Sequence, residues 1–136
     1  MVDLPEVVAK TINDPNAVKV VATVSPEGAL HAIQVGAIVA PQPGVIAIGA
    51  ILMQHTSKNM EEMQKKGQNV AIIMAKGTES YQVKAKIQIY QTEGPVFEAM
   101  NEKVKSLGLQ VRGVWILEPE EVWNQSATYE AGKRMI

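Results

Sequence analysis

The chain has 136 residues, of which 46% are apolar and 20% charged, with a net charge of −1 at pH 7. This length suits one domain, 1–136, that buries roughly two thirds of the surface its unfolded form exposes, and the composition is that of a globular protein, well away from a disordered one. With no long single-sign block, binding to nucleic acid or a membrane surface is not expected; with no cysteine, disulfides, thiol redox chemistry and cysteine-ligated zinc are excluded.

The first element in chain order is a short helix. Leu4, Val7, Val8 and Ile12 fall at helical spacing, with Asp3 and Pro5 as start signals and Asn13-Asp14-Pro15 as the stop. The same stretch, MVDLPEVVAKTIND, lacks a basic segment followed by an apolar one, so it does not read as a secretory signal. The apolar run over 35–53 is broken by Pro41-Gln42-Pro43-Gly44 and cannot span a bilayer as a helix. A cytoplasmic, soluble protein is therefore expected.

Residues 17–24, AVKVVATV, are β-branched and short; Ser25-Pro26-Glu27-Gly28 supplies a turn, and ALHAIQVGAIVA (29–40) returns as the second strand of a hairpin. A second turn at 41–44 leads to a third strand, VIAIGAI (45–51). The stretch QHTSKNM (54–60) then joins this apolar run to the charged segment EEMQKK, as a strand gives way to a helix. NVAIIMA (69–75) is continuous enough to be buried on both faces. From Tyr81 to Thr92 the pattern alternates, with Tyr81, Val83, Ala85, Ile87 and Ile89 on one face and Gln82, Lys84, Lys86 and Gln88 on the other. Gly94-Pro95 opens a helix whose buried stripe is Phe97, Met100, Val104 and Leu107, ended by Gly108. VRGVWIL (111–117) is the last strand.

Six strands joined mostly by tight turns, with three short helices, disfavour a doubly wound parallel sheet and favour a small antiparallel barrel with helices packed outside it.

Most familiar chemistries find no support. His31 and His55 lie on different elements and lack paired-ligand spacing, so a histidine metal site is not expected. Ser25, Ser57, Ser80 and Ser106 have no nucleophile-elbow context. No Walker loop or GxGxxG follows a strand. Glu61-Glu62 and Glu120-Glu121 are sequence neighbours and read as solvated faces. What remains is the helix start. Its unpaired N–H groups and partial positive charge, joined by the Thr56 and Ser57 hydroxyls and the Lys58 ammonium, could hold a phosphate; equally, Thr56 or Ser57 could be an ordinary N-cap.

The order of parts, VVATVSPEGALHAIQVGAIV, VIAIGA, HTSKNMEEMQKKGQNVAIIM and YQVKAKIQIYQTEGPVFEAM, resembles the FMN-binding split barrels related to pyridoxamine 5′-phosphate oxidase, and among them the small bacterial FMN-binding proteins. The resemblance covers about Val20 to Met100. It implies a six-stranded antiparallel split β-barrel of Greek-key type and a homodimer with FMN at the subunit interface. It also implies an FMN phosphate at Thr56, Ser57 and Lys58, supported by Asn59, and a flavin ring along Ile33, Gln34 and Val35 with Gly49, Ala50 and Ile51 nearby. Gln34, a lone polar side chain in an apolar strand, would find a partner in the flavin's edge or would lie on the wet face. Trp123, in an otherwise polar segment, is expected near the flavin or the dimer interface, or in a plain core contact. Gly36 stands where some of these proteins carry a tryptophan near the ring. The basic residues of pyridoxal phosphate recognition are not identifiable, so vitamin B6 oxidation is not expected. The function classes left are a flavin-dependent oxidoreductase, a non-enzymatic FMN or electron carrier, and a split barrel that has exchanged flavin for another ligand.

Overall fold

Pro5 fixes the backbone at the start of helix α1 (Glu6–Ile12) in the computed structural model, which describes residues 2–136. Val8, Thr11 and Ile12 of this helix are buried, as is Leu4 just before it, while Val7 stays exposed. Asn13 ends the helix and pins it: its amide donates to the Ala40 carbonyl at 3.1 Å, and its Oδ1 accepts from the Ala40 N–H at 2.8 Å.

Strands β1 (Val18–Val24) and β2 (Leu30–Gln34) form the expected hairpin. Gly28 at φ 86° takes a turn conformation that a side chain would strain. Beyond the hairpin the sequence expectation fails. The run 29–40 is not one strand: it breaks at Val35-Gly36-Ala37 and resumes as β3 (Ile38–Gln42). Strands β4 (Val45–Gly49), β5 (Val70–Lys76), β6 (Glu79–Gln91) and β7 (Val114–Asn124) complete a seven-stranded antiparallel sheet, not a six-stranded one, in the order β2-β1-β5-β6-β7-β4-β3.

Strands β2 and β3 therefore occupy opposite edges of the sheet, although only three residues separate them. A chain from Gln34 to Ile38 reaches at most about 14 Å, so the sheet must curl until its edges face each other. They come close without pairing, because the ladder runs only the other way round. The result is a half-barrel with a split between β2 and β3.

Val21, Ile72, Met74, Val83, Ile46, Ile48 and Leu117 fill the inside of the curl, closed by Met60 and Met63 of helix α2 (Gln54–Lys66). Helix α3 (Pro95–Lys105) packs outside, where Met100 and Val104 meet Ala37, Ala47 and Val114. Gly49 permits this approach: a Cβ there would stand 2.9 Å from Met100 Cγ. Leu107, expected in the stripe of α3, lies beyond its end and is exposed. Strand β7 runs further than VRGVWIL. It continues through Pro119, placed at an irregularity of the β6–β7 ladder where its missing N–H costs least, and the chain end folds back so that the Met135 N–H donates to the Val122 carbonyl at 2.7 Å.

Candidate functional site

Two clefts meet at the split. The first, of about 450 Å³, is walled by Ile33, Gln34, Val35, Gly36 and Ala37 from the β2–β3 crossing, by Gly49, Ile51, Leu52 and Met53 after β4, and by Lys103, Val104, Leu107 and Leu109 at the end of α3. Apolar groups dominate it, and Lys103 is the one charged residue in its lining. Of the residues named from sequence for a flavin ring, Ile33, Gln34, Val35, Gly49 and Ile51 line this cleft. The Gln34 side chain is exposed, not buried.

The second cleft, of about 250 Å³, is polar. Ala50, Gln54, Ser57, Lys58, Glu61, Tyr90 and Arg112 line it together with Leu52 and Met53, which both clefts share. Helix α2 starts at Gln54, with Met53 as its cap residue and no side-chain cap, so Thr56, Ser57, Lys58 and Asn59 lie within the helix and not ahead of it. Successive helical residues turn by about 100°, and the four part company. Ser57 and Lys58 face the polar cleft. Thr56 and Asn59 turn inward: the Asn59 amide donates to Thr23 Oγ1 at 3.1 Å, and the Thr56 hydroxyl is buried with no partner on its Oγ1.

Arg112, which sequence reasoning did not single out, reaches the cleft because its N–H donates to the Ala50 carbonyl while the Ala50 N–H donates to Gly113, extending the β4–β7 pairing past both strands. Tyr90 packs against Trp115 with ring centroids 4.7 Å apart and lies so close over Gly113 that a Cβ there would clash with its ring. Burial raises the Tyr90 phenol above its usual range and Glu61 adds to the shift, while Arg112 opposes it; Tyr90 therefore faces the cleft as a neutral donor. Only the arginine in VRGVW, a lone cation ahead of an apolar strand, could have signalled this site.

Leu52, between the clefts, has φ 52° and is 84% exposed. A non-glycine residue in this region is strained, and it stands on the ridge common to both clefts.

Trp123 touches neither cleft. Its indole N–H donates to Glu121 at 3.1 Å, and its ring lies 5.8 Å from both the Lys84 and Arg134 cations. The strand registers place it in a row across the outer sheet face, Gln34, Val20, Ile73, Gln82, Trp123. The neighbouring rows on β1, β2 and β5 carry Val18, Ala22, Val24, Leu30, Ala32 and Ala71. Among the described residues no helix covers this face; Leu30 is 88% and Val18 49% exposed.

Among the described residues no cluster of three or more His, Asp or Glu side chains gathers that could hold a metal, and no helix is long and apolar enough to cross a membrane. No family model and no curated protein matches the chain. Solved structures do. HupZ of Group A Streptococcus superposes with a TM-score of 0.76 at 19% identity, over 95% of this chain and 99% of that one. An FMN-binding protein from Syntrophomonas wolfei gives 0.74 at 11% identity, over 88% and 85%. HutZ, the heme storage protein of Vibrio cholerae, gives 0.64 at 16% identity, over 92% and 97%. At these identities the likeness establishes the fold, the split barrel related to pyridoxamine 5′-phosphate oxidase.

Proposed function

We propose that this protein binds FMN, the isoalloxazine ring in the apolar cleft and the phosphate in the polar one. The observation that carries the reading is the junction of the clefts at Leu52 and Met53: an apolar slot that opens into a pocket with two cations, Lys58 and Arg112, against the single carboxylate of Glu61 matches a ligand with a flat aromatic ring at one end and a dianion at the other. The combined space suits a ligand of this size.

Ser57, Lys58 and Arg112 would hold the phosphate through charge-assisted hydrogen bonds, and the free N–H groups at the start of α2 add to the attraction. Ile33, Val35, Gly49 and Ile51 would flank the ring, where small groups and backbone allow close approach, and the Gln34 amide is available to its polar edge. Ala50 supports the site through the backbone bonds that carry Arg112. Thr56 and Asn59 act from behind, by seating α2. Bound FMN supplies electron or hydride transfer, and the protein supplies orientation and electrostatics; we read the protein as a flavin-dependent oxidoreductase, with a non-enzymatic FMN carrier as the other flavin role.

The uncovered outer face of β2-β1-β5 favours a homodimer, because an apolar surface this continuous is usually a partner surface. Gln34 belongs both to this face and to the apolar cleft, so a second copy seated there would border the flavin. The fold also occurs in a heme storage protein, which makes hemin the competing ligand to test.

The test is a titration of FMN, riboflavin and hemin against the unmodified protein and the Lys58→Ala and Arg112→Ala variants. FMN should bind with a structured absorption band in the visible, each variant should weaken it tenfold or more, and riboflavin, lacking the phosphate, should change less than twofold, since tenfold corresponds to about 1.4 kcal/mol. Equal losses for FMN and riboflavin would remove the phosphate from the polar cleft. Tight hemin binding with no flavin binding would replace FMN.

A further inference from the structure

His31 and His55, the chain's two histidines, are far apart in sequence and adjacent in the fold: their rings lie 6.1 Å apart, centroid to centroid, with planes at 51°. His31 comes from β2, where it stands opposite Thr23. His55 is the second residue of α2. What holds them together is a buried bond next to both. Asn59, one helical turn beyond His55, donates to Thr23 Oγ1, and both Asn59 and Thr23 are buried. This bond fixes α2 against the β1–β2 hairpin, so the backbone segments that carry the two imidazoles are held beside each other.

Their separation has a chemical meaning. A metal–nitrogen bond to histidine is about 2.0–2.1 Å and the ring centroid lies about 1.1 Å behind the nitrogen, so two imidazoles on one ion hold their centroids about 5 Å apart at a tetrahedral angle and about 6.4 Å apart in a linear arrangement. The observed 6.1 Å falls inside that interval, near its linear end, which trans imidazoles on a tetragonal Cu²⁺ approach more nearly than two ligands of a tetrahedral Zn²⁺. As a ring-stacking pair it would be loose and tilted.

We propose that His31 and His55 form a two-nitrogen site for one first-row transition-metal ion, Cu²⁺ or Zn²⁺, with water completing its coordination. Imidazole suits these ions, and Cu²⁺ binds most tightly in the divalent series. The surroundings sharpen the choice. Lys58, one turn from His55, and the positive end of α2 oppose any cation there, so binding has to come from the imidazole–metal bonds themselves, which Mg²⁺, an ion of oxygen ligands, does not make. Neither histidine lines the clefts assigned to FMN, so metal binding is read on the flavin-free protein.

The experiment is calorimetric titration of untagged protein with CuCl₂, ZnCl₂ and MgCl₂, repeated on His31→Ala, His55→Ala and the double variant, with electron paramagnetic resonance of the Cu²⁺ form. The unmodified protein should take up one Cu²⁺ or Zn²⁺ with micromolar affinity and no Mg²⁺, and the Cu²⁺ spectrum should carry splitting from two imidazole nitrogens. Each single variant should lose tenfold or more in affinity, and the double variant little beyond that. His55 is exposed, so His55→Ala keeps the fold, which its metal-free melting temperature verifies. Unchanged affinity in both single variants, splitting from fewer than two nitrogens, equal binding of Mg²⁺, or no saturable binding of Cu²⁺ and Zn²⁺ would overturn the proposal.

Discussion

The indole N–H of Trp115 donates to the hydroxyl of Ser57 at 3.2 Å, joining β7 to the first turns of α2 beside the polar cleft that Ser57 lines. Trp115 is fully buried, so its donor has no water to fall back on. Ser57→Ala should destabilise the fold by about 1–3 kcal/mol, the cost of an unsatisfied buried donor. Pairing it with Trp115→Phe should recover part of that loss on top of the ring's own cost. Urea unfolding of the single and double variants measures both. Because the Ser57 oxygen accepts from Trp115, its own proton remains free for a ligand, and Ser57→Ala should also weaken FMN more than riboflavin.

Leu52 holds a left-handed backbone that glycine adopts without strain. Leu52→Gly should therefore stabilise the protein, or leave it unchanged, by up to about 1 kcal/mol, while removing the ridge between the clefts. A thermal melt that rises or holds, together with flavin binding that falls several-fold, is the expected pair of results. A fall in both would mean that Leu52 packs for stability alone.

The buried, partnerless hydroxyl of Thr56 contributes nothing by hydrogen bonding within the protein. Thr56→Val, nearly the same shape, should be neutral or stabilising, since it removes an unsatisfied polar group, and should leave FMN affinity within twofold. A large, FMN-specific loss would restore Thr56 to the phosphate site.

Ile73 sits at the centre of the outer row that runs from Gln34 to Trp123. Ile73→Lys should convert a dimer to a monomer in sedimentation at micromolar protein and weaken flavin with it, while Trp123→Phe, at the end of the row, should have a smaller effect in the same direction. An unmodified protein that sediments as a monomer with and without FMN removes the dimer.

The Lys76 ammonium, 2.6 Å from Asp14, and the Asn16 N–H hold the Asp14 carboxyl below its ordinary value. A folded-state value below the unfolded one stabilises the protein above the unfolded value and loses that stabilisation as pH falls through the folded one. Asp14→Asn should accordingly be less stable than the unmodified protein near pH 7, with the gap closing as pH falls below the ordinary carboxylate value of about 4. Chemical unfolding from neutral to acid pH checks the sign; the Lys76 end of the pair is exposed, so the gap should shrink in high salt.

The alternation from Tyr81 to Ile87, the hairpin turn at Gly28 and the stripe of Met100 and Val104 were legible in the sequence, because each is a local pattern that one element imposes on its own residues. So were five of the residues that line the apolar cleft, through the order of elements that a family resemblance summarises. The break at Val35-Gly36-Ala37 was not legible. An apolar run looks the same whether it continues along one strand or crosses from one sheet edge to the other, and only closure of the curl decides which. The helix start at Gln54 likewise depended on packing, since no capping side chain marks it, and with Met53 as the cap in place of Thr56 or Ser57 the helix turned Thr56 inward and left Ser57 and Lys58 facing the cleft. Arg112 entered the site through β4–β7 pairing, Tyr90 through β6–β7 pairing and Leu52 through a strained backbone, and His31 came beside His55 where a bond between Asn59 and Thr23 docks α2. Such meetings join segments distant along the chain; they follow from how the sheet closes and where α2 docks, which no single stretch of sequence encodes.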